Sequence, residues 1–379
     1  MSPNQEFFPD LISDPQDLKR LVGRLSREPV ISVDTESNSL YAYQEQVCLI
    51  QFSAAGKDFL VDPLALEDLS PLGKIFADEK IEKVFHAAEY DIICLHRDFD
   101  FEFANLFDTM WAARVSGREA IGLSSLLEEE FGVKADKRYQ RADWGKRPLS
   151  EAMLAYARLD THYLITLRNR LRAELVEKGR LELAQEDFVR MERLYERATL
   201  NGNAPACWER ISGTRDLDPQ QMAILKALCE YREQVASQRN RPVFKVLGDA
   251  TLVKIASTCP VSLDELESLD HISTRQVRQY GEALLAAVRE GLNAPPIKPK
   301  PGPRPDPAAL NRMDAVRMWR KLEAKKLGVE SDVVLPRDLM VEVVEHNPRS
   351  LEALQGLLAE VPYRQEHWGR GLLEAVRRG

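Results

Sequence analysis

The sequence has no long apolar stretch. Its longest segments without Asp, Glu, Lys or Arg, Gln46–Gly56 and Ala198–Trp208, have eleven residues each. A membrane-spanning helix needs about 18 or more apolar residues, so we expect no transmembrane segment. The first residues contain neither a basic stretch nor an apolar run typical of secretory signals. We therefore expect a cytoplasmic protein that does not bind a membrane.

Cysteine is also scarce. The chain of 379 residues has five cysteines, an odd number, and none of them forms a Cys-x-x-Cys pair. This pattern argues against a disulfide framework and against a cysteine-based zinc site. Hydrophobic residues make up 44% of the chain and charged residues 30%, which is typical of soluble globular proteins and excludes wholesale disorder.

The formal net charge of −8 is unevenly distributed along the chain. Residues 1–200 have 36 acidic and 26 basic side chains, a balance of −10, whereas residues 201–379 have 24 acidic and 26 basic ones, a balance of +2. An acidic N-terminal half is compatible with a solvated surface or with carboxylates that gather to hold cations. The charge balance leaves both interpretations open.

The C-terminal half contains an internal repeat. The segment Gly281–Gly291 recurs as Gly369–Gly379, and Pro260–Leu269 recurs as Pro348–Leu357, both at an offset of 88 residues. Their apolar residues follow helical spacing, so we predict a duplicated domain of short amphipathic helices. Between the copies, Ala294–Pro307 contains seven of the 21 prolines and is predicted to be an extended spacer.

The first 200 residues predict an α/β fold. Short β-branched or apolar runs bounded by turn formers predict strands at Val30–Val33, Val47–Phe52, Asp58–Leu60 and Lys83–Phe85. Short connections between the first three strands favour an antiparallel meander, and the next strand follows a helix, which favours a mixed sheet. We also predict a long helix over Ser150–Lys178. The predicted division of the chain is 1–200, 213–293, 294–307 (the spacer) and 308–379.

A pair of carboxylates ends the first of these strands. Asp34 and Glu36 are two residues apart in Ile31-Ser32-Val33-Asp34-Thr35-Glu36, so both side chains project from the same face of the strand. Like charges this close repel each other unless a cation lies between them. A solvated strand end that runs into a loop is the alternative interpretation.

Two further clusters contain acidic residues at helical positions. Asp91 follows His86 near the start of a predicted helix, where the helix dipole favours a carboxylate without any catalytic role, and His86 is equally compatible with a structural histidine. Tyr156 and Asp160 are four residues apart and share one face of a later helix. A surface Tyr–Asp pair is the alternative there.

Taken together, Asp34, Glu36, Asp91 and Asp160 resemble the three exonuclease motifs of the DEDD superfamily of 3′→5′ exonucleases, and Tyr156 marks its tyrosine-containing branch. The segments Phe107-Asp108-Thr109 and Asp143-Trp144-x-x-Arg147-Pro148-Leu149 resemble the bacterial ribonuclease D family more closely. The duplicated C-terminal segments resemble HRDC domains, and the first copy has the fuller signature, from Asn240 to Val246.

The resemblance implies an RNase H-like exonuclease domain followed by two all-α HRDC domains. It assigns Asp34, Glu36, Asp91 and Asp160 as ligands of two divalent metal ions, Mg²⁺ or Mn²⁺, and Tyr156 as the residue that positions the attacking water. Four carboxylates would offset the charge of two Mg²⁺ ions, which prefer oxygen ligands and acidify bound water. An unperturbed tyrosine pKa near ~10 favours a hydrogen-bonding role over a general base.

Basic residues near these motifs are candidates for nucleic-acid contacts. Residues 134–147 contain six basic side chains against two acidic ones, together with Tyr139 and Trp144. Basic groups attract a phosphate backbone, and aromatic rings can stack on unpaired bases. The alternative is a solvated loop with Trp144 in the core. The candidate contacts in this segment and in the first HRDC copy are Lys137, Arg141, Arg147, Arg241 and Lys245.

The sequence therefore predicts a 3′→5′ exoribonuclease that shortens single-stranded RNA 3′ ends, with stable-RNA precursors such as tRNA as the substrates that the family implies. The products would be nucleoside 5′-monophosphates. A DNA 3′→5′ exonuclease of the same superfamily and a non-catalytic nucleic-acid binding scaffold are the two alternatives. No protein partner is predicted from the sequence.

Overall fold

The computed structural model describes residues 9–134, 136–195, 206–298 and 306–379. Within them the chain forms two compact units, the first made of residues 9–37, 47–195 and 306–379 and the second of residues 38–46 and 206–298. None of the helices in these ranges is long and apolar enough to cross a membrane. The predicted boundary at residue 200 and part of the predicted spacer 294–307 lie outside the described residues, so the predicted domain division stays a prediction.

The first unit is built on one six-stranded sheet. Its strands are β1 (Asp10–Ile12), β2 (Val30–Ser37), β3 (Val47–Ala54), β4 (Lys57–Val61), β5 (Glu82–Phe85) and β6 (Leu106–Asp108). They lie in the order β1-β4-β3-β2-β5-β6. β3 is antiparallel to β2 and β4, and the other three pairs are parallel. The predicted mixed sheet is confirmed, although the sequence did not predict the two short edge strands.

A tight turn fixes the register of the central hairpin. Every residue of β3 is buried, because helices cover both faces of the sheet. Ala55 and Gly56, which join β3 to β4, both have positive φ angles of 46° and 72°. A two-residue hairpin turn of this kind needs two positive φ angles, and glycine adopts one without strain. The turn sets Ser53 opposite Asp58 in the ladder.

Helices cover the sheet on both faces. They are α1 (Pro15–Leu25), α2 (Ser70–Phe76), α3 (Glu89–Phe99), α4 (Thr109–Ser116), α5 (Leu123–Phe131), α6 (Glu151–His162), α7 (Leu164–Glu177) and α8 (Leu181–Glu192). The single helix predicted over Ser150–Lys178 is wrong, because the chain bends at Tyr163. α6 lies across β2, β3 and β4, whereas α7 packs on α4, β2 and β5. The bend redirects the chain along one face of the sheet, from the part over β3 and β4 to the part over β5.

The second unit contains the first helical repeat. Its helices are α9 (Pro219–Gln238), α10 (Val243–Val246), α11 (Asp249–Thr258), α12 (Leu263–Glu267) and α13 (Thr274–Asn293). α9 begins with an Asp218 cap followed by Pro219, and α13 begins with a Ser273 capping box, so the local sequence specifies both starts. The unit also includes the loop after β2, whose Tyr43 hydroxyl donates a hydrogen bond to Glu233 over 2.8 Å.

The second helical repeat follows the same plan. Its helices are α14 (Pro307–Leu327), α15 (Ser331–Val334), α16 (Arg337–His346), α17 (Leu351–Leu357) and α18 (Pro362–Arg378). Each of these five helices begins 88 residues after its counterpart in the first repeat, from Pro219 and Pro307 onward. The predicted duplication is confirmed at the level of single helices.

The second repeat packs into the same unit as the sheet. Arg364 of α18 is 1% exposed, and its guanidinium donates to Glu186 over 2.8 Å and to Asp187 over 2.7 Å, both on α8. Val333 of the short helix α15 is fully buried in the same apolar cluster as Phe188 of α8. The interface therefore combines apolar contact with a buried ion network.

This network predicts the effect of a substitution at Arg364. Burial raises the pKa of Glu186 and Asp187, and the guanidinium offsets this effect. Removing one partner of a buried ion network leaves uncompensated charges, which costs about 3–5 kcal/mol. We expect Arg364→Ala to lower the urea midpoint of the first unit strongly, as followed by circular dichroism.

Arg378 supplies a matched control on the same helix. Its side chain is 77% exposed and, among the described residues, forms an ion pair only with the exposed Glu374. Exposed ion pairs contribute little to stability, so Arg378→Ala should leave the urea midpoint almost unchanged. Equal midpoints for the two variants would show that the Arg364 network does not stabilise the first unit.

Candidate active site

Three carboxylates converge at the end of β2. One ligand oxygen each from Asp34, Glu36 and Asp160 lies within 4.8 Å of the other two. Asp34 and Glu36 share a face of β2 because side chains alternate along a strand, as the sequence predicts. Asp160 comes from α6, which lies across that face. The strand and the helix together bring residues 126 positions apart into one cluster.

Asp91 reaches the same strand from its other side. It is 7% exposed on α3 and accepts a hydrogen bond from the hydroxyl of Thr35, whose side chain alternates with those of Asp34 and Glu36. Asp91 is therefore not one of the three carboxylates that lie within mutual reach. Its charge still acts on them, since it raises the pKa of Asp34 and Glu36.

A buried aspartate holds the start of the helix that carries Asp91. Asp108 is fully buried, and its carboxylate accepts hydrogen bonds from the backbone N–H of Ala88 over 2.7 Å and of Trp111 over 2.8 Å. The first bond secures the turn before α3, where Ala87 has a positive φ of 63°. The Phe107-Asp108-Thr109 segment contributed to the family resemblance, but the sequence pattern predicted no role for Asp108 at the site.

His86 belongs to the structural support of this turn. Its Nδ1 lies 2.9 Å from the Thr109 hydroxyl, which in turn donates to the carbonyl of Phe85. Burial lowers the pKa of His86 to about 4, so the imidazole is neutral at physiological pH. The structure therefore favours the interpretation of His86 as a structural histidine.

Burial dominates the electrostatics of the cluster. It raises the pKa of Glu36 to about 9 and those of Asp91 and Asp160 to about 7, and it raises the pKa of Asp34 well above its usual value. Coulombic repulsion between the carboxylates adds to the effect at Asp34 and Glu36. In the described part of the chain, no Lys, Arg or His forms an ion pair with any of these four residues.

This donor set fits divalent cations. Carboxylate oxygens are the protein ligands that Mg²⁺ and Mn²⁺ prefer, and a buried acidic cluster without a balancing cation in the protein is unfavourable in the ionised form. A surface Tyr–Asp pair and a solvated strand end, the alternatives for Asp160 and Glu36, do not match carboxylates that are mostly buried and mutually repelling.

Tyr156 lies one helical turn before Asp160 on α6. Its ring packs beside Tyr139 and Trp144, with ring centroids 5.8 Å and 6.0 Å away. Burial, and after it the charges of Asp160 and Glu36, raise the pKa of Tyr156 above its usual range. The phenol therefore stays protonated at neutral pH and can donate a hydrogen bond.

The basic segment before α6 divides into two kinds of residue. Lys137 and Arg141 are exposed on the surface. Arg147 instead donates two hydrogen bonds of 2.6 Å to Asp62, and others to the carbonyls of Cys48 and Trp144. These bonds inside the protein favour a structural role for Arg147 over the predicted nucleic-acid contact.

The two aromatic residues of this segment that were candidates for stacking on bases also differ in their burial. Trp144 is 1% exposed and packs in an apolar cluster with Leu49 and Leu60, so it lies in the core, as the alternative interpretation had it. Tyr139 is partly buried beside Tyr156. In the second unit Arg241 and Lys245 are both exposed, and the Lys245 ammonium lies 4.0 Å from the centre of the Tyr41 ring.

Comparisons with known proteins agree with this arrangement. Residues 9–176 match the 3′–5′ exonuclease family, and residues 221–288 and 309–376 each match the HRDC domain. Both HRDC matches are again 88 residues apart. The exonuclease match includes all five residues of the carboxylate and tyrosine motifs.

Similar proteins cover most of the chain. Ribonuclease D of Gluconacetobacter diazotrophicus is 35% identical over 314 residues, which are 80% of this chain and 79% of that protein. Ribonuclease D of Acidiphilium cryptum is 31% identical over 369 residues, 95% of this chain and 93% of that one.

A solved structure adds the fold of the whole chain. The crystal structure of Escherichia coli RNase D, an exoribonuclease involved in structured RNA processing, has a TM-score of 0.69 at 27% sequence identity and covers 93% of this chain and 99% of that chain. The order of domains, the mixed sheet and the extent of the sequence identity lead to the same conclusion: the chain belongs to the ribonuclease D family and is a 3′→5′ exoribonuclease.

Proposed function

We propose that this exoribonuclease removes nucleoside 5′-monophosphates from single-stranded RNA 3′ ends with two divalent metal ions, Mg²⁺ or Mn²⁺. The observation that carries the proposal is the cluster of partly buried carboxylates that repel one another. Four ionised carboxylates have the charge needed to offset two divalent ions. We assign Asp34, Glu36, Asp91 and Asp160 as the residues that hold them.

When bound, the metals would supply Lewis-acid chemistry, which acidifies water and offsets charge on the phosphate and on the leaving 3′ oxygen. The protein itself determines where this chemistry acts. Thr35 orients the carboxylate of Asp91 through its hydroxyl, and Asp108 secures the first turn of α3. Tyr156 remains protonated and is suited to donate a hydrogen bond that orients the attacking water.

Exposed basic residues are proposed to guide the RNA backbone. Lys137 and Arg141 lie in the segment that leads into α6, and Arg241 and Lys245 lie on the first HRDC domain. Phosphate contacts of this kind add affinity without sequence preference. Structured RNA processing by the Escherichia coli relative supports stable-RNA precursors such as tRNA as the substrate class, and with it a cytoplasmic location. We also propose that residues 1–200, 213–293 and 308–379 form the functional domains of the protein.

Digestion of matched oligonucleotides tests the proposal. Single-stranded and double-stranded RNA and DNA of one sequence, labelled at the 5′ end, should be incubated with the full chain, with Mg²⁺ or with EDTA. We expect stepwise shortening of single-stranded RNA with Mg²⁺ only, and nucleoside 5′-monophosphates as products. Preferred digestion of DNA would favour the DNA exonuclease, and binding without shortening would favour a non-catalytic scaffold.

Asp34→Asn is the first variant to test. It removes one charge from the carboxylate cluster while it preserves the side-chain shape, so we expect a folded protein whose hydrolysis of single-stranded RNA is nearly abolished. Asp100→Asn is a matched control, since the Asp100 side chain is 96% exposed and Asn tolerates its left-handed backbone conformation. Near wild-type hydrolysis by Asp34→Asn would refute the metal-ligand assignment.

Tyr156→Phe tests the proposed role of the phenol. The variant loses one hydrogen bond to a charged or polarised group, worth about 1.5–3 kcal/mol or about 10–100-fold in rate. We expect kcat to fall by about this factor with little change in KM, because the hydroxyl acts on water rather than on RNA binding. Tyr363→Phe is the control, as the Tyr363 ring packs on His367 and Trp368 of α18, a helix that carries none of the proposed site residues. A rise in KM at constant kcat would instead make Tyr156 a substrate contact.

Metal removal should make stability depend on pH. The pKa values of Asp91 and Asp160 are raised to about 7 and that of Glu36 to about 9, whereas in the unfolded chain such groups ionise near ~4. The folded state then binds more protons than the unfolded state, so stability falls as pH rises from about 5 to about 9. We expect the Tm of the protein in EDTA to decrease over this range.

Metal ions should reverse this loss. They bind the ionised carboxylates of the folded state, so Mn²⁺ should raise Tm more at pH 8 than at pH 6. Asp34→Asn should weaken both the pH dependence and the Mn²⁺ effect. A Tm that is independent of Mn²⁺ at pH 8 would contradict the proposed metal site.

A further inference from the structure

A buried polar row crosses the sheet next to the carboxylate cluster. Ser32 of β2 pairs with Ser53 of β3, and Ser53 pairs with Asp58 of β4. All three are 9% exposed or less. Ser32 lies two residues before Asp34 on the same strand face, so this row is the neighbour of the row that carries Asp34 and Gln51. The three polar side chains thus face α6.

Ser32 and Ser53 of this row bind Thr161, which lies in the last turn of α6. The Ser32 hydroxyl donates to the Thr161 carbonyl over 2.9 Å, and the Ser53 hydroxyl oxygen lies 2.8 Å from that of Thr161. Thr161 is fully buried and directly follows Asp160. The backbone position of Asp160 is therefore set by bonds to the sheet, in addition to those within the helix.

Asp58 binds the same turn from β4. Its carboxylate accepts hydrogen bonds from Arg158 Nε and from His162 Nδ1, the latter over 2.9 Å, and a third from the hydroxyl of Ser53 over 2.6 Å. Arg158 and His162 are four residues apart and stand on either side of Asp160 in sequence. Burial alone would raise the pKa of Asp58, but these three donors outweigh it and lower the pKa.

We propose that Asp58 is a positioning residue of the nuclease, which holds Asp160 and Tyr156 in place through Arg158 and His162. We call this network the clamp. It joins the buried carboxylate of Asp58 on β4 to the turn of α6 that carries the proposed metal ligand Asp160. α6 packs on the sheet through few large apolar side chains, with Ala157 and Thr161 as its buried residues. Hydrogen bonds and ion pairs therefore contribute strongly to fixing the position of α6 on the sheet.

The expected consequence is a loss of rate rather than of RNA binding. Displacement of a reacting group by about 1 Å can cost about 100-fold in rate. Without the Asp58 charge, the turn from Arg158 to His162 loses its anchor, and both Asp160 and Tyr156 shift relative to Asp34 and Glu36. The exposed basic residues proposed to bind RNA are not part of this network.

Asp58→Asn tests the proposal, and Glu82→Gln is a closely matched control. Glu82 is also 9% exposed on a strand and also binds two arginines four residues apart on a helix, Arg168 and Arg172 of α7. α7 carries none of the proposed site residues. Both substitutions remove a buried charge that holds a helix, so both should lower Tm to a similar extent.

The readouts are kcat, KM and Mn²⁺ affinity, measured on the full chain with a single-stranded oligoribonucleotide. For Asp58→Asn we expect kcat to fall about 10–100-fold while KM stays within about twofold of the wild-type value. We also expect a weaker Mn²⁺ affinity, as measured by electron paramagnetic resonance. For Glu82→Gln we expect wild-type kcat and Mn²⁺ affinity. Equal kcat in the two variants, or a change confined to KM, would overturn the positioning role.

His162→Gln keeps the proposal testable if Asp58→Asn does not fold, since His162 is only one of the three donors. We expect a smaller fall in kcat in the same direction. In the double variant, the effect should be no larger than that of Asp58→Asn alone, because the two residues act through one bond. Independent, multiplying effects would mean that His162 acts by another route and would refute the clamp.

The inference rests on the proposed metal site, yet the two can fail separately. If the wild-type chain does not hydrolyse RNA with Mg²⁺ or Mn²⁺, the proposed function fails. If the wild-type chain hydrolyses RNA, Asp34→Asn does not, and Asp58→Asn is as active as Glu82→Gln, then only the positioning role of Asp58 is wrong.

Discussion

The mutual repulsion of partly buried carboxylates is the constraint on which the rest of this structure depends. Asp34, Glu36 and Asp160 lie within reach of one another at the end of β2, and burial makes each of them harder to ionise. Such a cluster opposes folding unless protons or cations neutralise it. The surrounding fold must therefore hold these groups together at a free-energy cost, and the arrangement is useful only where a cation is to be bound.

The fold holds the cluster through a rigid sheet and two helix ends. On one face, the row Ser32–Ser53–Asp58 anchors the last turn of α6 beside Asp160. On the other, Asp108 anchors the first turn of α3 beside Asp91. Both anchors are buried carboxylates that accept several hydrogen bonds, and such bonds have directions that apolar contacts lack. Polar groups thus fix the geometry, whereas the apolar core supplies the stability.

The local sequence pattern predicted part of the fold and of the site, but not the contacts between segments that are distant in sequence. The common face of Asp34 and Glu36 follows from strand alternation, and the duplication follows from an offset of 88 residues. Asp91 on the opposite side of β2 follows from tertiary packing, which no spacing encodes. Arg147 was predicted to contact RNA as part of a basic segment, which stays a prediction, and its hydrogen bond to Asp62, 85 residues earlier, follows from no local pattern. Contacts between distant segments were the ones that sequence reasoning missed.

The two helical repeats share one fold but differ in exposure at corresponding positions. Phe244 and Lys245 are exposed in the first copy, whereas their counterparts 88 residues later are Asp332, which pairs with Arg114 of α4, and Val333, which is fully buried against α8. The repeat without the basic, exposed turn is thus the one that packs on the helices of the first unit. Because a surface cannot be buried in one interface and free for another, this surface of the second copy is not available to a further partner. The basic turn that stays exposed in the first copy makes that copy the better candidate for RNA contact.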